Sequence, residues 1–211
     1  MFLFIIHLRK NPFNLGVSVK SFFSNYSYSI IKMFVNQFAI SIFGSVLAMA
    51  TISSGNDILT FFVSCFAIVF YLFLIYTMVW EIGAKDKISV DVGKKEYRPY
   101  TGLLMALVAN IPNFIIAIVY TIASPLMSTH AWAGNTAAVT VFASFIIQGM
   151  YRGVISTVSI AGVSMNQIWW TYFVIIIPSL IASFAAYYLG HKNFRFFAAL
   201  TQKNKDADLR K

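Results

Sequence analysis

Residues 101–151 run for 51 positions without a single Asp, Glu, Lys or Arg. No water-soluble domain carries so long an uncharged stretch on its surface, because soluble chains average about 25% charged residues. The rest of the chain agrees: 59% of the 211 residues are hydrophobic, 11% are charged, and the mean hydropathy is +0.73. These values point to an all-α integral membrane protein, since a helix satisfies its own backbone polar groups in lipid.

Individual crossings follow from the uncharged stretches, at about 20 residues per span of hydrocarbon. Residues 34–52 and 58–80 are two such spans, separated by the turn-forming Ser53, Ser54, Gly55, Asn56 and Asp57. Residues 102–123 and 169–189 supply two more. Between them, residues 131–168 are too hydrophobic for an ordinary loop and too interrupted for one ordinary helix, with Gln148, Gly149, Arg152 and Gly153 at the break.

Charge placement constrains the topology. Of the 16 Lys and Arg residues, four precede the first crossing, five lie in the 81–100 segment, six follow Gly190, and Arg152 stands alone. The positive-inside tendency puts all three basic segments on the cytoplasmic side, which requires an even number of crossings between Tyr100 and His191. The expected fold is a polytopic helix bundle of four full transmembrane helices, with a re-entrant or interfacial element at 131–168 and both termini cytoplasmic. Six crossings, two of them short and tilted, are the alternative. The domain organisation expected is an N-terminal interfacial segment (1–33), one transmembrane domain (34–190) with a solvent-exposed loop at 81–100, and a basic cytoplasmic tail (191–211). Within the loop, alternation around Ile88, Val90 and Val92 admits a short hairpin, though a plain surface loop is the expectation. Apolar residues precede Arg9 and Lys10, the reverse of a secretory signal, so cleavage is not expected.

Polar side chains inside such a bundle are candidates for function or for ordinary interhelical hydrogen bonds. Pro112 removes an amide donor and disturbs the carbonyl four positions earlier, while Asn110 and Asn113 can repair the break or hold a ligand. Arg152, with Gln148 and Tyr151, can receive a carboxylate or phosphate, or snorkel to the interface. Asn110, Asn113, Gln148 and Arg152 are therefore the candidate substrate-binding residues. Asn36 and Gln37 are expected at headgroup depth, Pro178 as a packing kink, and Gly83 as a helix cap within the charged stretch Trp80 to Lys87. Trp80, Trp132, Trp169 and Trp170 read as an interfacial belt.

Several function classes lack their residues. There is no H-E-x-x-H, Gly-x-Ser-x-Gly elbow or phosphate-binding loop, and His7, His130 and His191 are far apart, so neither an enzyme nor a metal or other cofactor is expected. The net charge of +9 does not imply nucleic acid, because the cations flank crossings instead of forming a basic face. Cys65 is the only cysteine, which excludes an internal disulfide. The expectation is a small transporter, or a membrane-embedded substrate-binding subunit of one, in a bacterial cytoplasmic membrane. Its partners are then the lipid bilayer, a small-molecule ligand and a partner subunit. The alternative is a non-catalytic scaffold that recruits a partner through its basic loop and tail.

Overall fold

In the computed structural model, the backbone is described for residues 12–194 and side chains from residue 19 onward. Helix α1 (Pro12–Ile52) is 41 residues long and starts on a proline, the residue best suited to a first helical position. It ends where Gly55 adopts φ +69. The Asn56 side chain then accepts a hydrogen bond from the Leu59 amide at 3.0 Å, capping α2 (Asp57–Asp91).

Two further long segments are bent. Helices α3 (Thr101–Ala109) and α4 (Ile111–Ala123) meet at Asn110, and Thr101–Ala109 is turned 55° from Ile111–Leu126. Helix α5 (Ala131–Ile147) is followed by a 3-10 turn (Gly149–Tyr151) and α6 (Arg152–Thr157), with a bend of 95° between the two limbs. A two-residue hairpin then pairs β1 (Ser159–Ile160) with β2 (Val163–Ser164). Its turn residues Ala161 and Gly162 both have positive φ, as the right-handed twist of a tight hairpin requires. Helices α7 (Thr171–Val174) and α8 (Ile177–His191) complete the described chain.

The fold is all-α apart from that hairpin. Three helical stretches are long and apolar enough to cross a membrane, Val19–Ile52, Asp57–Asp91 and Thr171–His191, and the two bent pairs raise the number to as many as five. The surface is inverted relative to a soluble protein: Phe66, Val69, Ile118 and Phe142 point outward while Asn110, Asn113, Ser179 and Ser183 are buried. Such a distribution suits a surrounding of lipid tails.

Glycines set the closest helix approaches. A Cβ on Gly83 would overlap the Tyr187 carbonyl, one on Gly190 the Trp80 carbonyl, and one on Gly102 the Ser183 carbonyl, so α8 lies almost against the backbones of α2 and α3. Small residues at helix contacts are how packing gains energy where no hydrophobic effect separates helix from lipid. The turn after α5 is seated likewise, with Gly149 against Ser41 and Ser45, Gly44 against Met150, and Gly153 against Thr60.

Several boundaries differ from expectation. The second helix does not stop near Trp80: it continues to Asp91, so residues 81–91 are helical and the short hairpin does not form. The cause is that Gly83 and Asp86 face inward onto α8, giving the helix a packed face beyond its apolar stretch. Gly83 is a contact residue, and Gly93, at φ +72, follows the helix end instead. Residues 12–33 are helical and continuous with residues 34–52. Expectations for residues 1–11, and for the tail from residue 195, lie outside the described residues.

Candidate functional site

The break between α3 and α4 gathers the first polar cluster. Pro112 lacks the N–H that would reach back to the Val108 carbonyl, so the ladder is interrupted there. Asn110 spans the gap: its Nδ2 donates to the Ala106 carbonyl at 2.8 Å and to Ser179 Oγ at 3.2 Å. Asn113 Nδ2 donates to Asn110 Oδ1 at 2.6 Å. Both asparagines are 2% exposed, and Asn113 Oδ1 is buried without a partner. Asn110 is thus committed to the Ala106 carbonyl and Ser179, whereas Asn113 retains an unused acceptor.

Ser179 belongs to a second break. Proline 178 opens α8 after the irregular residues 175 and 176, and the Ser179 hydroxyl donates to the Ile176 carbonyl at 2.8 Å. The two interrupted helices therefore meet at their irregular points.

Polar contacts continue across the bundle. The Tyr71 hydroxyl on α2 donates to Gln37 Oε1 at 3.2 Å. Gln37 Nε2 donates to the Ile147 carbonyl at 3.1 Å. Gln37 is 2% exposed inside the bundle, not at its polar margin as expected, because α1 begins well before residue 34. Asn36, its neighbour, is only partly buried and approaches Met78 Sδ at 3.8 Å.

Ile147 leads into the sharp turn after α5. There Ser64 Oγ donates to the Met150 carbonyl at 2.6 Å and Ser45 Oγ to the Phe145 carbonyl at 2.6 Å, so neighbouring hydroxyls satisfy the turn's backbone. The side chain of Gln148 is not satisfied: it is 4% exposed, and neither Nε2 nor Oε1 has a partner. The Tyr151 hydroxyl and Thr171 Oγ1 are buried and unpartnered as well.

Arg152 follows this turn. Its guanidinium carbon lies 3.5 Å from the centroid of the Phe145 ring, Nη1 is 3.5 Å from Asn166 Oδ1, and Nε is buried without a partner. Tyr172 donates to Asn166 Oδ1 at 3.2 Å, and Tyr120 donates to the Asn166 carbonyl at 3.3 Å. The structure therefore brings Asn110 and Asn113 together, and sets Gln148 and Arg152 on either side of one 3-10 turn. No direct hydrogen bond joins the two pairs. Ser179 extends the first pair through Asn110, while Tyr71 and Gln37 reach the Ile147 carbonyl beside the second. Of these Tyr71 was invisible as a polar group, since its hydroxyl ends an aromatic side chain in an apolar run.

A separate cluster closes the opposite end. Asp86 is 5% exposed and accepts from Tyr26 at 2.6 Å, Tyr187 at 2.9 Å and Lys95 Nζ at 2.8 Å. Nearby, Tyr97 stacks on His191 at 4.0 Å, and burial holds its hydroxyl above the ordinary phenol range. Trp80 Nε1 donates to the Phe194 carbonyl at 2.9 Å. Trp80, Gly83 and Asp86, expected in a charged helix end capped by Gly83, are thus used within the bundle.

The chain matches no protein-family model, no curated protein and no solved structure.

Proposed function

We propose that the chain is a small multi-pass membrane protein that binds a polar solute inside its helix bundle, as a transporter or as the membrane-embedded substrate-binding subunit of one. The observation that carries this reading is the Gln148 amide, buried with both its donor and its acceptor unused. An unsatisfied buried polar group costs about 1–3 kcal/mol, and a cost of that kind is retained where the group serves a ligand. Asn113 Oδ1 adds a second unused acceptor beside a helix break, the kind of interruption at which transporters bind their substrates.

The topology we propose is four crossings with a re-entrant element. The first, the second, the bent α3–α4 pair and the last helix cross, while α5 enters and α6 returns to the side it came from. At six residues, or about 9 Å, α6 is too short to be a further crossing. Support comes from the Asp86 cluster and the Tyr97–His191 stack, which bring the 81–100 segment, α1 and the end of α8 to one end of the bundle. That end we assign to the cytoplasm by the positive-inside tendency.

The test uses purified protein in lipid nanodiscs, screened for thermal stabilisation by amino acids, sugars, polyols and nucleosides. At least one class should raise the melting temperature of the wild type. Gln148→Leu should abolish that response while leaving basal stability equal or about 1 kcal/mol higher, because the desolvated amide is gone. A Gln148→Leu protein that is less stable than the wild type would identify the amide as structural and remove the principal support for the reading.

A further inference from the structure

Resting on the interior site just described, we propose that its ligand carries an anionic oxygen group, a carboxylate or a phosphate, and that Arg152 receives it.

Arg152 is the one cation outside the three basic segments of the sequence. None of the described acids pairs with it: Glu81 is bound to Lys85 at 2.7 Å and Asp86 to Lys95 at 2.8 Å. Asp57, Asp91 and Glu96 form no ion pair. The Asn166 contact, at 3.5 Å, is at the outer limit of a hydrogen bond. Arg152 is half-buried, and a cation held partly out of water in a helix bundle is stabilised by a counter-charge or a set of short acceptors, neither of which the described chain supplies.

Geometry favours an oxyanion over a simple counter-ion. Phe145 covers one face of the guanidinium, which leaves the in-plane N–H donors as the means of binding, and that planar fork matches the two oxygens of a carboxylate or phosphate. Asn166 stands at the same edge, its Oδ1 accepting from Tyr172 and lying 3.5 Å from Nη1, so the guanidinium is the donor that meets the anion there. Across the 3-10 turn, the buried Gln148 amide offers a donor and an acceptor to the neutral part of the same ligand.

The experiment measures melting temperature in phosphatidylcholine nanodiscs against glutamate, succinate and inorganic phosphate, with succinamide as the uncharged, carboxylate-free match to succinate. A parallel set of discs contains phosphatidylglycerol. A saturable rise with a soluble anion, weakened at least about tenfold in Arg152→Gln, supports the proposal and assigns the anion to a free solute. A rise confined to the phosphatidylglycerol discs and lost in Arg152→Gln supports it and assigns the anion to a lipid headgroup. The same response from succinamide as from succinate, or an unchanged response in Arg152→Gln, overturns it. So does the absence of any anion response. If Arg152→Gln fails to fold, protection of wild-type Arg152 from phenylglyoxal by the same anions, read by peptide mass spectrometry, decides the question in the same two directions. The two readings fail separately. Stabilisation by succinamide that needs Gln148 but not Arg152 leaves the interior site standing without its anion. Stabilisation by phosphate that needs Arg152 but not Gln148 leaves the anion site standing alone.

Discussion

At the scale of single residues, Asp86 shows how a charge is kept inside a bundle of this composition. Its carboxylate accepts from Tyr26 on α1, Tyr187 on α8 and Lys95 in the following connection, so one side chain ties the first helix, the last helix and the basic segment. Lys95 also lies 4.9 Å from the Tyr26 ring centroid, which places its charge against both partners of the pair. Removing the carboxylate strands two buried phenols and a lysine. Asp86→Ala should therefore destabilise the protein by about 3 kcal/mol, read as a lower melting temperature in detergent. Asp86→Asn keeps an acceptor for the phenols but loses the ion pair, and should cost less. Lys95→Ala should cost only about 1 kcal/mol, since that lysine is partly exposed and solvent screens the pair. Equal losses for Asp86→Ala and Lys95→Ala would show that the ion pair, not the phenol contacts, holds the cluster. None of this was legible in the sequence, where Asp86 stands among Glu81, Lys85 and Lys87 and resembles any solvated helix end. The residue's inward direction is decided by Gly83, three positions earlier, and by a tyrosine 101 positions later.

At the scale of elements, the glycines divide into two groups that the sequence alone does not separate. Gly149 and Gly153 sit against backbone and side-chain atoms of α1 and α2, whereas a Cβ on Gly134, in the first turn of α5, meets nothing within 4 Å. Gly153→Val should thus reduce folded yield severely, because its methyls would enter the Thr60 carbonyl and Ser64. Gly134→Ala should be neutral or stabilising by up to about 1 kcal/mol, the ordinary gain from Gly to Ala inside a helix. Comparing the two by size-exclusion yield and melting temperature tests whether the turn after α5 is held by close backbone packing. If Gly153→Val folds as well as wild type, that packing does not hold the turn. The interruptions themselves were readable, since Pro112, Pro178 and the Gln148 to Gly153 run each announce a break through missing donors or flexible backbone. What a break faces was not. The expected single crossing over 102–123 becomes two helices joined at 55°, and the polar contacts from Asn113 through Asn110 to Ser179, and from Tyr71 to Gln37, each join separate parts of the sequence. Such pairings depend on helix rotation, which an apolar stretch hydrophobic on every side does not encode.

At the scale of the whole molecule, the charge arithmetic and the packing make a joint prediction about sidedness. Fifteen of the sixteen Lys and Arg residues lie in three segments, and the described parts of those segments meet around Asp86, Tyr97 and His191. A bundle with four crossings puts Ser54, Ser128 and Ser159 on one side of the membrane and Lys94 and Asn193 on the other. Six crossings would instead carry the chain across between Ser128 and Arg152, leaving Ser159 near the side of Lys94. Five would put Asn193 with Ser54. Single cysteines at these five positions in a Cys65→Ser background, probed with a membrane-impermeant maleimide in intact cells and after permeabilisation, separate the three arrangements. The four-crossing bundle expects labelling of Ser54→Cys, Ser128→Cys and Ser159→Cys in intact cells, with Lys94→Cys and Asn193→Cys reacting only after permeabilisation. All five positions fall in turns, the hairpin or the connections flanking helices, so the substitutions leave the buried glycine contacts and the Asp86 cluster intact. Protection of Ser159→Cys in intact cells would remove the re-entrant element and with it the four-crossing arrangement.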